Sequence, residues 1–312
     1  MKNKKRILVT GGNGLVGSAI KQVSSNYPEI EFLFTTHTQI DLTNERDTKK
    51  LFEKLKPDYV IHTAAFVGGI GRNLASPAGQ YYQNILMNSF VTHYAYLNNI
   101  KRLVSFSSVC AFPENLEIMS ENKLHDGAPH QSYFSYAYSK RLVDVQNQAY
   151  NKEYGTNYCT LIPGNIYGPR DNYNLDYGHV IPSLIHKCYL AKLNQVPFKV
   201  WGDGSVYREF IYSEDIAKIA IDLVLKNGII PTCIIASGEK ETQIKEVVNM
   251  ICNAFDYHNV RWEKDKPMGQ LRRPTDKDIF KNIFSKFNFT SFENGIRETV
   301  GWFNQNYPNI RK

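Results

Sequence analysis

Residues 10–17, Thr-Gly-Gly-Asn-Gly-Leu-Val-Gly, constrain this chain more than any other stretch. The pentapeptide before them, Arg6–Thr10, reads as a β-strand, and Leu15–Ser24 carries the apolar spacing of a helix. Glycines at positions 11, 14 and 17 permit a tight turn and close packing of helix on strand. With Asn13, Leu15 and Val16 between them, they leave backbone N–H groups and a helix N-terminus facing outward, an arrangement suited to a pyrophosphate. A glycine triplet alone is weak evidence. Its place between a strand and a helix is what gives it weight.

The same alternation continues. Strands are expected at Glu31–Phe34, Asp58–His62, Arg102–Ser107 and Tyr158–Ile162, with helices at Glu45–Leu55, near Tyr81–Asn98 and at Ser135–Tyr154. This is the order of an α/β, Rossmann-type doubly wound parallel sheet. Beyond Pro163 the alternation loosens, which suggests a smaller α/β C-terminal substrate domain set against the strand ends. We expect residues 1–163 to form the nucleotide-binding domain, with about 211–238 returning to it. Residues 164–210 and 239–312 then form the substrate domain, ending in a helix over Phe292–Tyr307.

At 312 residues the chain is long enough for two such units. The basic start, Met1-Lys-Asn-Lys-Lys-Arg, is followed by too short an apolar run for a signal peptide, and no segment could span a bilayer, so a cytoplasmic protein is expected. Five scattered cysteines without a Cys-x-x-Cys pair indicate neither a disulfide framework nor a metal site. The net charge of +7 suits an anionic ligand, but the basic residues form no long block, which argues against nucleic acid.

At the end of the second strand, Phe34-Thr-Thr-His-Thr-Gln offers hydroxyls and His37 with no carboxylate to hold a ribose 2′-hydroxyl, so NADP(H) is favoured over NAD(H). Tyr136 and Lys140, at i and i+4 of a helix, share one face, where the ammonium can lower the phenol's pKa. Among 20 tyrosines this is the one Tyr-x-x-x-Lys, and roughly one or two are expected by chance, so position must carry the argument. Ser107 and Ser108 end the strand Arg102–Ser107 at the edge where a ligand should lie. A serine hydroxyl there can hold a carbonyl while Tyr136 delivers a proton and Lys140 both tunes the phenol and reaches the cofactor ribose. The candidate cofactor set is completed by Asp41, Leu42, Ala64, Ala65, Pro163, Asn165 and Ile166. The pattern points to carbonyl reduction.

These motifs resemble the extended short-chain dehydrogenase/reductases acting on nucleotide sugars, and over nearly the whole chain the GDP-L-fucose synthase family. The carrying segments are Ala64-Ala-Phe-Val-Gly-Gly-Ile, Ser108-Val-Cys-Ala-Phe-Pro, Asn165-Ile-Tyr-Gly-Pro, Gly178-His-Val-Ile-Pro, Val200-Trp-Gly and Arg208-Glu-Phe-Ile-Tyr. The resemblance implies a reducing triad of Ser108, Tyr136 and Lys140, with Cys110 and His179 as base and acid for epimerisation at C3 and C5. It implies a GDP-linked 4-keto sugar bound by Val67, Gly68, Asn165, Lys187, Trp201, Arg208, Met268 and Arg273. It also implies a homodimer through the Tyr–Lys helix and the helix near Tyr81–Asn98.

Departures from the family pattern gather around the sugar pocket. Gly164 stands where Thr is usual, and its small size is expected to make room for a bulkier sugar such as a heptose. A second reading is therefore a reductase alone, on a GDP-4-keto-heptose for bacterial surface polysaccharide. A dehydratase is disfavoured because Val109 and Cys110, rather than an Asp–Glu pair, follow Ser108. From another class, a non-catalytic nucleotide-binding protein is disfavoured by the intact Ser108, Tyr136 and Lys140.

Overall fold

The computed structural model describes residues 4–265 and 271–312. In the first half β1 (Lys5–Thr10), α1 (Leu15–Val23), β2 (Ile30–Phe34), α2 (Glu45–Leu55), β3 (Tyr59–His62), α3 (Ile70–Ala75), α4 (Pro77–Leu97), β4 (Arg102–Phe106), α5 (Phe134–Tyr154) and β5 (Cys159–Pro163) follow in order. The second half contributes β6 (Asn165–Tyr167), α6 (Val180–Asn194), β7 (Phe198–Trp201), β8 (Tyr207–Tyr212), α7 (Ser213–Leu225) and β9 (Cys233–Ala236). It closes with β10 (Glu241–Gln243), α8 (Ile244–Phe255), β11 (Val260–Glu263), α9 (Asp278–Ile283) and α10 (Phe292–Asn306).

Local chemistry explains the boundaries. The Asn44 side chain accepts from the Asp47 N–H at 3.2 Å and caps α2, whose first turn carries Glu45 and Asp47 as the helix dipole favours. Gly155, at φ 65°, lets α5 end in a left-handed cap that residues with a Cβ adopt reluctantly.

The central sheet has six strands in the order β2-β1-β3-β4-β5-β9, and every pairing is parallel. Its central strands are buried on both faces. Ile7, Val9, Ile61 and Val104 pack toward α1 and α7, while Leu8, Val60 and Leu103 pack toward α2 and α4. The strand order reverses between β1 and β3, and ligands of such sheets bind beyond the strand ends at that switch point. The expected strands and helices are present with shifts at their ends, and α3 is an addition. A second core holds Tyr167, Ile185, Phe198, Phe210, Ile251 and Phe303, from α6, α8, α10 and the strands beside them. Two smaller sheets accompany it, β10-β8-β6 and β11-β7.

No helix among the described residues is long and apolar enough to cross a membrane.

Candidate active site

The turn between β1 and α1 lies at the switch point. Gly11 sits at φ 71°, and a Cβ there would stand 2.8 Å from the Ala64 nitrogen at the end of β3. A Cβ on Gly17 would stand 2.3 Å from the Gly11 carbonyl oxygen, so the helix can meet the turn only with glycine there. Gly14 is the N-cap of α1 and offers no side-chain cap, which leaves the first N–H groups of the helix for a ligand. Beside the turn, the buried Thr35 hydroxyl at the end of β2 has no hydrogen-bond partner. A cradle closed to side chains, a bare helix start and an orphaned hydroxyl fit a dinucleotide. Asn13 and His37 are exposed, Leu42 is buried, and Leu15, Ala65 and Ile166 are partly buried. Asp41 is occupied locally: its Oδ1 accepts from the Thr43 N–H and hydroxyl at 2.9 and 2.7 Å, which hold its carboxyl below the usual range.

Behind this turn runs a buried chain of hydrogen bonds. The Ala64 N–H reaches the Thr10 hydroxyl at 3.3 Å, and that hydroxyl meets His62 Nδ1 at 2.7 Å. His62 Nε2 meets Asn88 Oδ1 at 3.1 Å, and Asn88 Nδ2 donates to the Ser139 carbonyl at 3.3 Å. Because Oδ1 can only accept, Nε2 carries the proton and Nδ1 accepts from Thr10. Burial, aided by the Lys140 charge, pushes His62 down to about 3, so the imidazole is neutral. Sequence reading did not single out His62 or Asn88. The signal was a histidine closing an otherwise apolar strand.

Tyr136 and Lys140 lie on the buried side of α5. The Lys140 ammonium donates to the Phe106 carbonyl at 2.9 Å, and burial lowers its pKa to about 8. The phenol of Tyr136 is moved the other way from the expectation. Burial raises it, nearby Cys110 adds to the rise, and a Ser108 hydrogen bond opposes it. Burial outweighs the other influences on the phenol, while the Lys140 ammonium is turned to the Phe106 carbonyl. Tyr136 is therefore a protonated donor, as delivery of a proton requires.

Ser108 opens a short 3-10 turn, Val109–Ala111, and its Oγ accepts from the Cys110 N–H at 3.2 Å. Arg141, next to Lys140, anchors this turn through Nε to the Ala111 carbonyl at 3.0 Å and Nη1 to the Gly127 carbonyl at 2.8 Å. The buried Ser107 donates instead to the Lys140 carbonyl at 2.9 Å and braces α5.

Two guanidiniums approach the same turn from the second half. Arg273 donates to the Tyr133 hydroxyl at 2.8 Å and the Val109 carbonyl at 3.2 Å. Arg208 lies close enough to Arg273, Tyr133 and Cys110 to feel their charges, and burial together with Arg273 lowers its pKa. The two half-buried guanidiniums concentrate positive charge beside the Ser108 turn, with the Glu241 carboxylate also acting on Arg208. Tyr133, one turn before Tyr136, was not anticipated; its partner Arg273 lies 140 residues away.

Lys187 and Trp201 meet as a separate pair, ammonium over indole at 5.1 Å, with the indole 59% exposed. Asn165 donates through Nδ2 to the Glu209 carbonyl at 2.9 Å and so ties β6 to β8. His179 is exposed at the N-cap of α6. Val67 is exposed and Gly68 half-buried, just before α3, and Pro163 ends β5. Met268 lies outside the described residues.

Gly164 does not open the expected space. A Cβ there would stand 2.2 Å from Ser237 Oγ and 3.1 Å from the Glu209 carbonyl, so the Ser237 hydroxyl already fills the volume. The argument for a larger sugar loses its support.

A six-stranded parallel sheet with a glycine cradle at its switch point and a Ser-Tyr-Lys set beyond β4 defines a nucleotide-dependent oxidoreductase of the short-chain type. Residues 7–232 match the profile of the NAD dependent epimerase/dehydratase family, and the chain belongs to that family. It is 37% identical to the GDP-L-fucose synthase of Dictyostelium discoideum, over 99% of this chain and 98% of that one. Among solved structures, a GDP-L-fucose synthetase from Naegleria fowleri bound to NADP superposes with a TM-score of 0.93 at 35% identity, covering 100% of this chain and 96% of that one. A GDP-6-OMe-4-keto-L-xylo-heptose reductase from C. jejuni superposes at 0.87 with 26% identity, covering 98% and 99%.

Proposed function

We propose that this chain is an NADPH-dependent reductase of the C4 ketone of a GDP-linked 4-keto-6-deoxyhexose that also epimerises the neighbouring ring carbons. The observation that carries the reading is the buried Tyr136 phenol with Lys140 one turn on along α5, its ammonium on the Phe106 carbonyl at the sheet's carboxyl edge, where Ser108 follows β4. Ser108 and Tyr136 hold the C4 oxygen, and Tyr136 passes its proton to that oxygen as negative charge develops there. Lys140 supplies positive charge behind the phenol. NADPH, when bound, supplies the hydride to C4; Gly11, Asn13, Gly14, Leu15, Val16 and Gly17 hold its pyrophosphate, and the carboxylate-free end of β2 tolerates its 2′-phosphate.

Before reduction, the same ketone acidifies the hydrogens on C3 and C5. Cys110 takes a proton, the electron pair moves into an enolate held by Ser108 and Tyr136, and His179 returns a proton to the opposite face. No electrons are gained or lost in that step. Arg208 and Arg273 receive the GDP pyrophosphate, which relieves their mutual repulsion, and Trp201 offers an aromatic face to the base or sugar. Residues 1–163 with 211–238 serve as the nucleotide unit, and 164–210 with 239–312 as the substrate unit. Exposed Tyr81, Tyr82, Tyr138, Leu142 and Val145 on α4 and α5 support a homodimer through these helices.

The test is NADPH oxidation with GDP-4-keto-6-deoxymannose, followed by product NMR. The expected product is reduced at C4 and inverted at C3 and C5. Reduction without inversion would favour the reductase-only reading, and no NADPH oxidation would overturn the proposal.

A further inference from the structure

We propose that Arg72 is a positioning residue that fixes His179 through Tyr177, clasping the two sides of the active-site cleft. The inference rests on the epimerase part of the reading above. α3 lies between two segments that chemistry needs in register. On one side it packs against Gln131–Tyr133, the turn that leads into Tyr136. On the other it meets residues 176–178, immediately before His179.

The second contact is built with unusual closeness. The Gly69 N–H donates to the Tyr177 carbonyl at 2.7 Å. A Cβ on Gly69 would stand 2.5 Å from the Gly178 carbonyl oxygen, and one on Gly71 the same distance from that of Asp176. Only glycines let these backbones approach so far. The Arg72 guanidinium then lies over the Tyr177 ring at 4.7 Å and over the Phe66 ring at 5.4 Å, so one cation joins an aromatic from each side. Tyr177 is itself held from behind, its N–H donating to Asn174 Oδ1 at 2.8 Å. His179 follows two residues later as the N-cap of α6.

Returning a proton to a ring carbon tolerates little misplacement of the donor, whereas ketone reduction does not use His179. Loosening the clasp should therefore separate the two activities. In D2O without NADPH, Arg72→Met and Tyr177→Leu are expected to slow deuterium uptake into the 4-keto sugar by at least about 10-fold. The reverse reaction, NADP+-dependent oxidation of the finished C4 alcohol, should stay within about 2-fold of wild type, because it bypasses epimerisation. Tyr177→Phe, which keeps the ring, should preserve exchange, and Arg72→Lys, which keeps the cation, should restore part of it. Exchange unchanged in Arg72→Met and Tyr177→Leu would overturn the clasp alone. Equal loss of exchange and of oxidation would overturn it as a mere packing contact. A wild-type enzyme with no exchange at all would overturn it together with the epimerase reading.

Discussion

The Lys140 ammonium donates to the carbonyl of Phe106, the last residue of β4, at 2.9 Å. A buried cation is thus held by the strand that leads into Ser107 and Ser108, and its pKa falls to about 8. The charged form is penalised in the fold, so below pH 8 the penalty is fully present. Between pH 8 and the unfolded value near 10.5 the unfolded chain binds more protons, and stability rises with pH. Lys140→Met should abolish turnover yet raise stability at pH 7 by about 1–3 kcal/mol. Denaturant melts should show that advantage shrinking as pH increases from 8 to 10. A variant less stable than wild type at pH 7 would contradict the burial argument.

His62 gives the opposite pH window. Its folded value of about 3 lies below the unfolded 6.5, so the unfolded state takes up a proton as pH falls through 6.5 and the native state does not. Stability should decline between pH 6.5 and 3. His62→Gln should flatten that decline while costing about 1–3 kcal/mol at pH 7 through the broken chain to Thr10 and Asn88. Thermal melts from pH 4 to 8 measure both effects.

Gly164 and Ser237 should behave as one packing unit. Gly164→Thr alone forces a methyl and a hydroxyl into space held by the Ser237 side chain and is expected to cost about 1–3 kcal/mol. Ser237→Gly in the same chain should recover most of it, because the buried Ser237 hydroxyl forms no hydrogen bond that would be missed. Additive losses in the double variant would show the two residues to be independent.

Gly17→Ala should strike cofactor binding. The added Cβ meets backbone at 2.3 Å, which the turn can relieve only by moving its N–H groups. We expect NADPH affinity to drop at least about 10-fold, read by fluorescence titration, with a smaller change in melting temperature measured without nucleotide.

Much of the sheet was legible because each buried strand is a short apolar run, with punctuation such as Asn44 before α2 and Gly155 after α5. α3 was not. Six residues following Gly68 and Gly69 are too few to show a period, and the helix is defined by what packs on it. In the site, Tyr136 and Lys140 were readable as a pair because they lie four residues apart on the buried side of one helix. Tyr133 with Arg273 and Gly164 with Ser237 were not, since each pairing joins distant stretches and no periodicity encodes it. The net direction of the Tyr136 shift was not readable for a related reason: sequence shows that two side chains share a helix face, but not how deeply the phenol is buried.

The sixth strand of the central sheet, Cys233–Ala236, enters beside β5 only after the chain has made its excursion through α6, β7 and β8. A ribosome that has released the first 163 residues has therefore produced a sheet with an open hydrogen-bonding edge, and some seventy further residues must emerge before that edge is covered. During that interval β5 presents an unpaired edge, the feature that invites mispairing. Any exchange of the second core must leave α7 and β9 with the central sheet, since the chain passes from one core to the other more than once.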